Sequence, residues 1–331
     1  MGPGVNKPKL FSTHVLYEEP RRCLAEHFDV EYWTGSERPP RAVVLQRVAG
    51  KDALICLLTE KVDRELLDAA GPNLRIVANV AVGYDNIDVP ACTERKIAAS
   101  NTPGVLDETT ADFTWTLLLA VARRLVEGDH LARTGWWLQW NFDLLCGTDV
   151  WGKTLGILGL GRIGRAVARR ASGFGMRVIY NSTTRAPAEV ERELRAEFMS
   201  QDEVLQQADF LSLHVPLNAK TRGLIGREAL AKMKKTAFLI NTTRGPVVQE
   251  SELVHALEEG VIAGAALDVF EREPLIPDGL RRNNVVLAPH LGSASIETRT
   301  KMALIAAGNA IAFFQGKRPP TILNPEVWPR S

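Results

Sequence analysis

The chain has 331 residues, of which 45% are hydrophobic and 24% charged, with a formal net charge of +1. That length exceeds what one hydrophobic core usually serves, so two domains are expected, and the near-neutral balance leaves no footprint for nucleic acid or an anionic membrane surface. No transmembrane-length apolar run, signal-peptide core, C-terminal address or metal-ligand spacing occurs, and Cys23, Cys56, Cys92 and Cys146 lie scattered without C-x-x-C pairs, which points to a cytoplasmic protein with free thiols.

Residues 9–13, 30–33, 53–58, 75–80 and 97–99 read as short strands, with helical patterns such as 63–70 between them. Alternation of this kind predicts a parallel sheet flanked by helices. The turn NVAVGYDNID follows the fourth strand. Gly83 has no side chain, so the N–H groups of Val82 and Gly83 make a candidate anion cradle. The alternative is a plain strand-to-helix turn capped by Asp85 or Asp88. A long helix is expected over 108–127, N-capped by Asp107 or Thr109. Apolar on several sides, it should be buried. Residues 134–149 then crowd Trp136, Trp137, Trp140 and Phe142 into a stretch without clear period. Such a stretch is either an arm that buries itself on a second subunit or packing within its own chain.

The alternation resumes at Thr154. Leu155 to Leu158 form a buried-strand run, Gly159, Gly161 and Gly164 follow in G-x-G-x-x-G spacing, and 162–174 carries apolar residues at helical period. Gly175 sits at a helix stop, and 177–180 makes the next strand. This strand–turn–helix–strand context is what a dinucleotide site requires. Leu160, Arg162 and Ile163 complete the turn, where the helix N-terminus presents N–H groups to a pyrophosphate. NAD sites usually place Asp or Glu at the tip after the second strand, to hold the ribose 2′-hydroxyl. Here the tip is Asn181, Ser182, Thr183, Thr184 and Arg185, without an acid. Hydroxyls and a guanidinium suit a 2′-phosphate better, so NADP(H) is favoured and NAD(H) is the alternative. Strands at 210–215, 237–241, 264–269 and 285–288, with helices at 227–233 and 251–259, complete a second doubly wound sheet. The last helix, 295–314, could cross back after Gly292-Ser293. The first domain is then discontinuous, 1–104 plus 294–331, with a dinucleotide-binding domain at 105–293. The fold class is thus α/β, with two doubly wound, Rossmann-like parallel-sheet domains and an active-site cleft expected between them.

Ligands of open α/β sheets bind beyond the carboxyl ends of the strands. Arg244, Glu273 and His290 each follow the end of a successive strand. Reduction of a 2-keto acid needs these three types. Arg holds the substrate carboxylate in its planar fork, His delivers a proton to the forming alkoxide, and a Glu on the other ring nitrogen favours imidazolium and fixes the ring. Each has a bland alternative: Arg244 paired with Glu250 or Asp268, Glu273 on the surface, His290 capping the following helix. His214, before Val215-Pro216, reads as structural or cofactor-adjacent.

The motifs VGYDNID, NTPGVLDETTAD, LGILGLGRIGRAVARR, INTTRGPVV, AGAALDVFEREP and VVLAPHLGSA together resemble the D-2-hydroxyacid dehydrogenase family, most closely its glyoxylate/hydroxypyruvate reductase branch. The resemblance implies Arg244 as carboxylate binder, His290 as proton donor, Glu273 as its partner, and backbone contacts from Val82 and Gly83 to a small 2-keto or 2-hydroxy acid. It implies that Asp268 faces the nicotinamide and that Val215, Pro216, Thr242, Thr243 and Gly292 line the coenzyme. A homodimer is also implied, with Trp140 of the arm reaching the partner's site. NADP-using relatives often place Arg or Lys directly after the tip Ser; here that residue is Thr183, and the cation comes at Arg185. The alternatives are an NAD-dependent enzyme of other specificity, such as a 2-ketogluconate reductase, and a dinucleotide-sensing corepressor-like protein.

Overall fold

The computed structural model describes residues 7–328; the readings of the chain ends at 1–6 and 329–331 lie outside it. The chain divides into two compact units, Met1–Leu106 with Ser295–Ser331, and Asp107–Ala294.

In the first unit, strands β1 (Lys9–Ser12), β2 (Asp29–Tyr32), β3 (Ala53–Cys56), β4 (Ile76–Asn79) and β5 (Ala98–Ser100) alternate with helices α1 (Glu18–His27), α2 (Arg41–Val48), α3 (Arg64–Ala70) and α4 (Val89–Glu94). All strand pairs are parallel, in the order β2-β1-β3-β4-β5, which is the flavodoxin-like arrangement. Both faces are covered, so ALIC and IVAN are buried throughout. Phe11, Leu54, Val77 and Ala99 pack with Val44, Val48, Leu66 and Leu67. Their strand neighbours Leu10, Ile55, Ile76 and Ala98 belong to the opposite cluster. Asp88 accepts the Ala91 N–H at 2.9 Å and caps α4, so of the two carboxylates considered there it is the cap.

The second unit opens with α5 (Asp107–Ala122) and α6 (Leu125–Arg133). Then come β6 (Thr154–Leu158), α7 (Arg162–Ala171), β7 (Arg177–Asn181), α8 (Ala188–Leu194), β8 (Ala196–Phe198), α9 (Gln201–Gln207) and β9 (Phe210–Leu213). It closes with α10 (Arg227–Lys232), β10 (Phe238–Asn241), α11 (Glu250–Glu258), β11 (Gly264–Leu267) and β12 (Val285–Leu287). Its seven parallel strands run β12-β11-β10-β9-β6-β7-β8. That is a doubly wound Rossmann order whose switch point lies between β6 and β9. Helix α12 (Ile296–Phe314) returns to the first unit, where Ala303, Ala306, Ala307, Ala310 and Phe313 join the cluster under Leu10 and Ile55. Ser295 caps it by accepting the Thr298 N–H at 3.1 Å, so His290 is not its cap.

The structure differs from the sequence reading at five places. The long helix at 108–127 is two helices, because Arg124 takes a left-handed backbone (φ 52°) between α5 and α6. Asp107 and Thr109 lie inside the first turn of α5 and do not cap it. Helix 162–174 ends as α at Ala171 and tightens into a 3-10 turn before Gly175 (φ 59°). The segment α8-β8-α9 was not foreseen; its β8 edge strand has only three residues, two of them exposed, too short for an alternating pattern. The aromatic arm does not pack within its own chain: Trp136, Trp137, Trp140 and Phe142 are 79%, 56%, 73% and 89% exposed. Among the described residues no helix is long and apolar enough to cross a membrane.

Candidate active site

The β6–α7 turn is built by steric exclusion. Gly159 has φ 98°, and a Cβ there would lie 2.6 Å from the His214 carbonyl oxygen. A Cβ on Gly164 would lie 2.2 Å from the Gly159 oxygen, so helix and turn pack backbone to backbone. Gly161 is different. It is the N-cap of α7, and a Cβ there would meet nothing within 4 Å. The chain itself does not require that glycine. The open space at a helix N-terminus beside Leu160, Arg162 and Ile163 fits a phosphate group, and these residues would hold a dinucleotide.

The turn is tied to the tip. The Leu160 N–H donates to Ser182 Oγ at 2.6 Å, and the Gly159 N–H to the Asn181 carbonyl at 2.8 Å. Asn181 Nδ2 is anchored on the Met199 carbonyl at 2.7 Å, and Thr183 is exposed. Arg185 forks onto Glu191 with two bonds of 2.9 Å and lies over the Phe198 ring. Tyr180 Oη also donates to Glu191, at 2.6 Å, and accepts the Ala186 N–H at 2.9 Å, which closes the loop on itself. The Arg185 and Tyr180 bonds hold the Glu191 carboxyl down to about 2. Glu191 was not singled out from sequence, though it lies only six residues beyond Arg185.

Beyond β9, Val215 and Pro216 follow His214, whose ring bonds Ser212 Oγ at 2.8 Å. Burial brings that imidazole down to about 3, so it stays neutral. Thr243 donates from both its N–H and Oγ1 to Asn241 Oδ1, and Thr242 Oγ1 meets Thr114 Oγ1 at 3.0 Å.

Three strand-end loops converge past β10, β11 and β12. His290 Nδ1 and Glu273 Oε2 are 2.8 Å apart, with side chains 25% and 31% exposed. The other Glu273 oxygen accepts the Phe270 N–H at 3.1 Å. Burial pushes the Glu273 carboxyl up, but the His290 bond and charge, the Phe270 N–H and the Arg244 charge together hold it below its ordinary value. Arg244 Nη1 donates to the Thr243 carbonyl at 2.8 Å. The loops of Arg244 and Glu273 touch at Gly245, where a Cβ would lie 1.8 Å from the Phe270 carbonyl carbon. Sequence reasoning passed over Gly245, although a glycine directly after a candidate Arg was the available signal. Glu250 and Glu271 exchange backbone-to-carboxylate bonds of 2.7 and 3.0 Å with each other.

His290 itself has a left-handed backbone, φ 56°. Asp268, 1% exposed, holds it there. Its carbonyl accepts the His290 N–H at 2.9 Å, and its two carboxylate oxygens accept the N–H groups of Leu291 and Gly292 at 2.6 and 2.8 Å. A Cβ on Gly292 would sit 3.2 Å from Asp268 Oδ2. Burial raises the Asp268 carboxyl to about 6 against those bonds and the His290 charge. Asp268 therefore fixes the His290 loop, a task its sequence position did not reveal.

The second unit thus gathers Arg244, Glu273, His290, Asp268 and Gly292 at one group of loops, and the glycine turn with Asn181, Ser182 and Val215 at the switch point. Val82 and Gly83 belong to the first unit, in the turn between β4 and α4. Trp140 lies on the exposed arm.

A seven-stranded Rossmann sheet with an open glycine turn defines a dinucleotide-binding α/β protein. Comparison with known proteins narrows this. Residues 115–292 match the family model described as D-isomer specific 2-hydroxyacid dehydrogenase, NAD binding domain. A glyoxylate reductase of Thermococcus kodakarensis is 52% identical over 326 residues, 97% of each chain. One from Korarchaeum cryptofilum is 51% identical over 324 residues, again 97% of each. The crystal structure of an NADPH-dependent glyoxylate/hydroxypyruvate reductase from Sinorhizobium meliloti, in complex with NADP and malonate, is similar with a TM-score of 0.85. It is 35% identical, over 96% of this chain and 97% of that one. The chain belongs to the D-isomer specific 2-hydroxyacid dehydrogenase family and is an oxidoreductase that takes a nicotinamide dinucleotide.

Proposed function

We propose that this protein reduces small 2-keto acids, glyoxylate and hydroxypyruvate first, to the D-2-hydroxy acids, with NADP(H) preferred. The observation that carries the reading is the 2.8 Å bond from His290 Nδ1 to Glu273, whose carboxyl also feels the Arg244 charge. When bound, the dinucleotide supplies the hydride. The chain supplies the rest. Arg244 binds the substrate carboxylate and orients the carbonyl; Val82 and Gly83 offer backbone N–H groups as substrate contacts from the first unit. Glu273 holds Nδ1 of His290 and fixes the ring, which leaves Nε2 to deliver the proton to the alkoxide oxygen. Asp268 keeps that ring in place and faces the nicotinamide, while Val215, Pro216, Thr242, Thr243 and Gly292 line the coenzyme. Preference for the 2′-phosphate rests on a tip of Ser182, Thr183 and Arg185 that itself carries no acid, with the Glu191 carboxylate paired to the Arg185 guanidinium. A homodimer, with Trp140 on an arm reaching the second copy, accounts for the exposed aromatic side chains.

A steady-state panel of NADPH and NADH against glyoxylate, hydroxypyruvate, pyruvate and 2-ketogluconate tests this. Glyoxylate with NADPH is expected to give the highest kcat/KM, and His290→Ala to lower kcat by roughly 10² to 10⁴. Best turnover of 2-ketogluconate with NADH overturns the substrate and coenzyme assignment. Tight dinucleotide binding without turnover favours the sensing alternative.

A further inference from the structure

The N–H groups of the turn after β4 are aimed by partners on the other edge of each peptide. The Ala81 carbonyl accepts the Thr102 N–H at 2.9 Å. The Val82 carbonyl accepts Asn101 Nδ2 at 2.8 Å, and the Gly83 carbonyl accepts Asn79 Nδ2 at 3.1 Å. Three consecutive carbonyls are thereby drawn onto donors from residues that are 0 to 8% exposed. A trans peptide is planar, with its oxygen and hydrogen on opposite edges. Fixing the carbonyls of 81, 82 and 83 therefore turns the N–H groups of Val82, Gly83 and Tyr84 away from the buried donors. Among the described residues those three N–H groups have no acceptor. Successive backbone N–H groups without acceptors are the donor set from which anion sites are built.

The two asparagines are themselves held. Asn79 Nδ2 also reaches Asn86 Oδ1 at 3.1 Å, and Asn86 Nδ2 donates to the carbonyls of Leu57 and Glu60 at 3.2 and 2.9 Å. The Asn101 carbonyl accepts Thr321 Oγ1 at 2.6 Å, and that hydroxyl accepts Asn309 Nδ2 of α12 at 2.7 Å. We propose that Asn79 and Asn101 are positioning residues for substrate, which aim the 82–84 N–H groups at the carboxylate of the keto acid. The proposal rests on the reading of a 2-keto acid reductase given above. It adds to that reading which buried side chains set the selectivity for a carboxylate beside the carbonyl.

The test uses Asn79→Ala, Asn101→Ala and the isosteric Asn79→Asp, which turns a donor into an acceptor facing the Gly83 carbonyl. Each variant is melted, titrated with NADPH by fluorescence, titrated with oxalate in the presence of NADPH, and assayed with glyoxylate. Loss of an aligned hydrogen bond to a charged group is expected to raise the glyoxylate KM and the oxalate Kd about tenfold. NADPH affinity and kcat at saturation should stay near wild type. A fall in kcat with KM and oxalate binding unmoved marks a merely structural role and overturns the proposal; so does the absence of any change. Oxalate binding needs no turnover, so a wild-type protein that binds oxalate but reduces no keto acid overturns the proposed function instead. Asn101→Ala carries the test if the Asn79 variants do not fold.

Discussion

Replacing Gly245 by alanine puts a methyl carbon 1.8 Å from the Phe270 carbonyl carbon, 2.1 Å from its oxygen and 2.3 Å from the Glu271 nitrogen. All three are backbone atoms, so no rotamer change relieves the overlap. Carbon atoms rest at about 3.5 Å or more, so the two loops must separate by roughly 1.7 Å. On one side of that gap is Arg244; on the other, Phe270 donates its N–H to Glu273, which holds His290. The separation therefore draws the guanidinium away from the imidazole–carboxylate pair. A misplacement of about 1 Å at a reacting centre costs roughly 10² in rate, and overpacking costs about 1–3 kcal/mol of stability. Gly245→Ala should lower kcat/KM for glyoxylate by about 10² or more, reduce Tm by a few degrees, and leave NADPH affinity close to wild type. Kinetics at saturating NADPH, a fluorescence titration and a thermal melt report the three quantities. A folded variant with unchanged kcat/KM would refute the idea that this backbone contact sets the site geometry.

Gly161→Ala should behave in the opposite way, because a Cβ there meets nothing of the chain. The free protein should melt as wild type does, while the rise in Tm on adding NADPH disappears; a preserved ligand-induced rise would remove Gly161 from the coenzyme site. Arg185→Ala should raise the KM for NADPH and leave NADH nearly untouched, and equal effects on both would discard a phosphate role for this side chain. Asp268 sets a pH dependence. Its carboxyl is raised to about 6 by burial, so the folded chain holds that proton more tightly than the unfolded chain, where a carboxyl titrates near ~3.9. Its contribution to stability is fullest below the unfolded value and declines as pH rises through about 6. Asp268→Asn should flatten that portion of the curve of Tm against pH, and should lower kcat by weakening the hold on the Leu291 and Gly292 N–H groups that follow His290. A slope that persists in the variant would mean that another group causes it.

The fold was legible wherever apolar runs and glycines coincided. Runs such as LGIL before Gly159 and VIY after Gly175 located the central strands, because buried parallel strands need continuous apolar residues. The β8 edge was not legible, since a three-residue strand with exposed side chains carries no period. The break at Arg124 was not either: nothing in a continuous helical pattern announces one left-handed residue. The placement of Arg244, Glu273 and His290 on neighbouring loops was legible because strand ends select positions, and the structure brings Glu273 and His290 to 2.8 Å. Their supports were not. Asp268 clamps a loop through backbone N–H groups, Gly245 allows a backbone contact between separate loops, and Asn79 and Asn101 act on carbonyls. None of these interactions leaves a spacing in the chain, because each depends on two segments that meet only after folding.

Helix α12 carries a consequence for how the chain acquires its shape. Its alanines and Phe313 cover the face of the first sheet that holds Leu10, Ile55 and Ile76. That sheet emerges early from a ribosome, yet its cover arrives only after all of Asp107–Ala294 has been made. The later-made unit has all its own strands before the earlier one has its last helix, so folding strictly from the N-terminus cannot complete the first core before the second unit is synthesised.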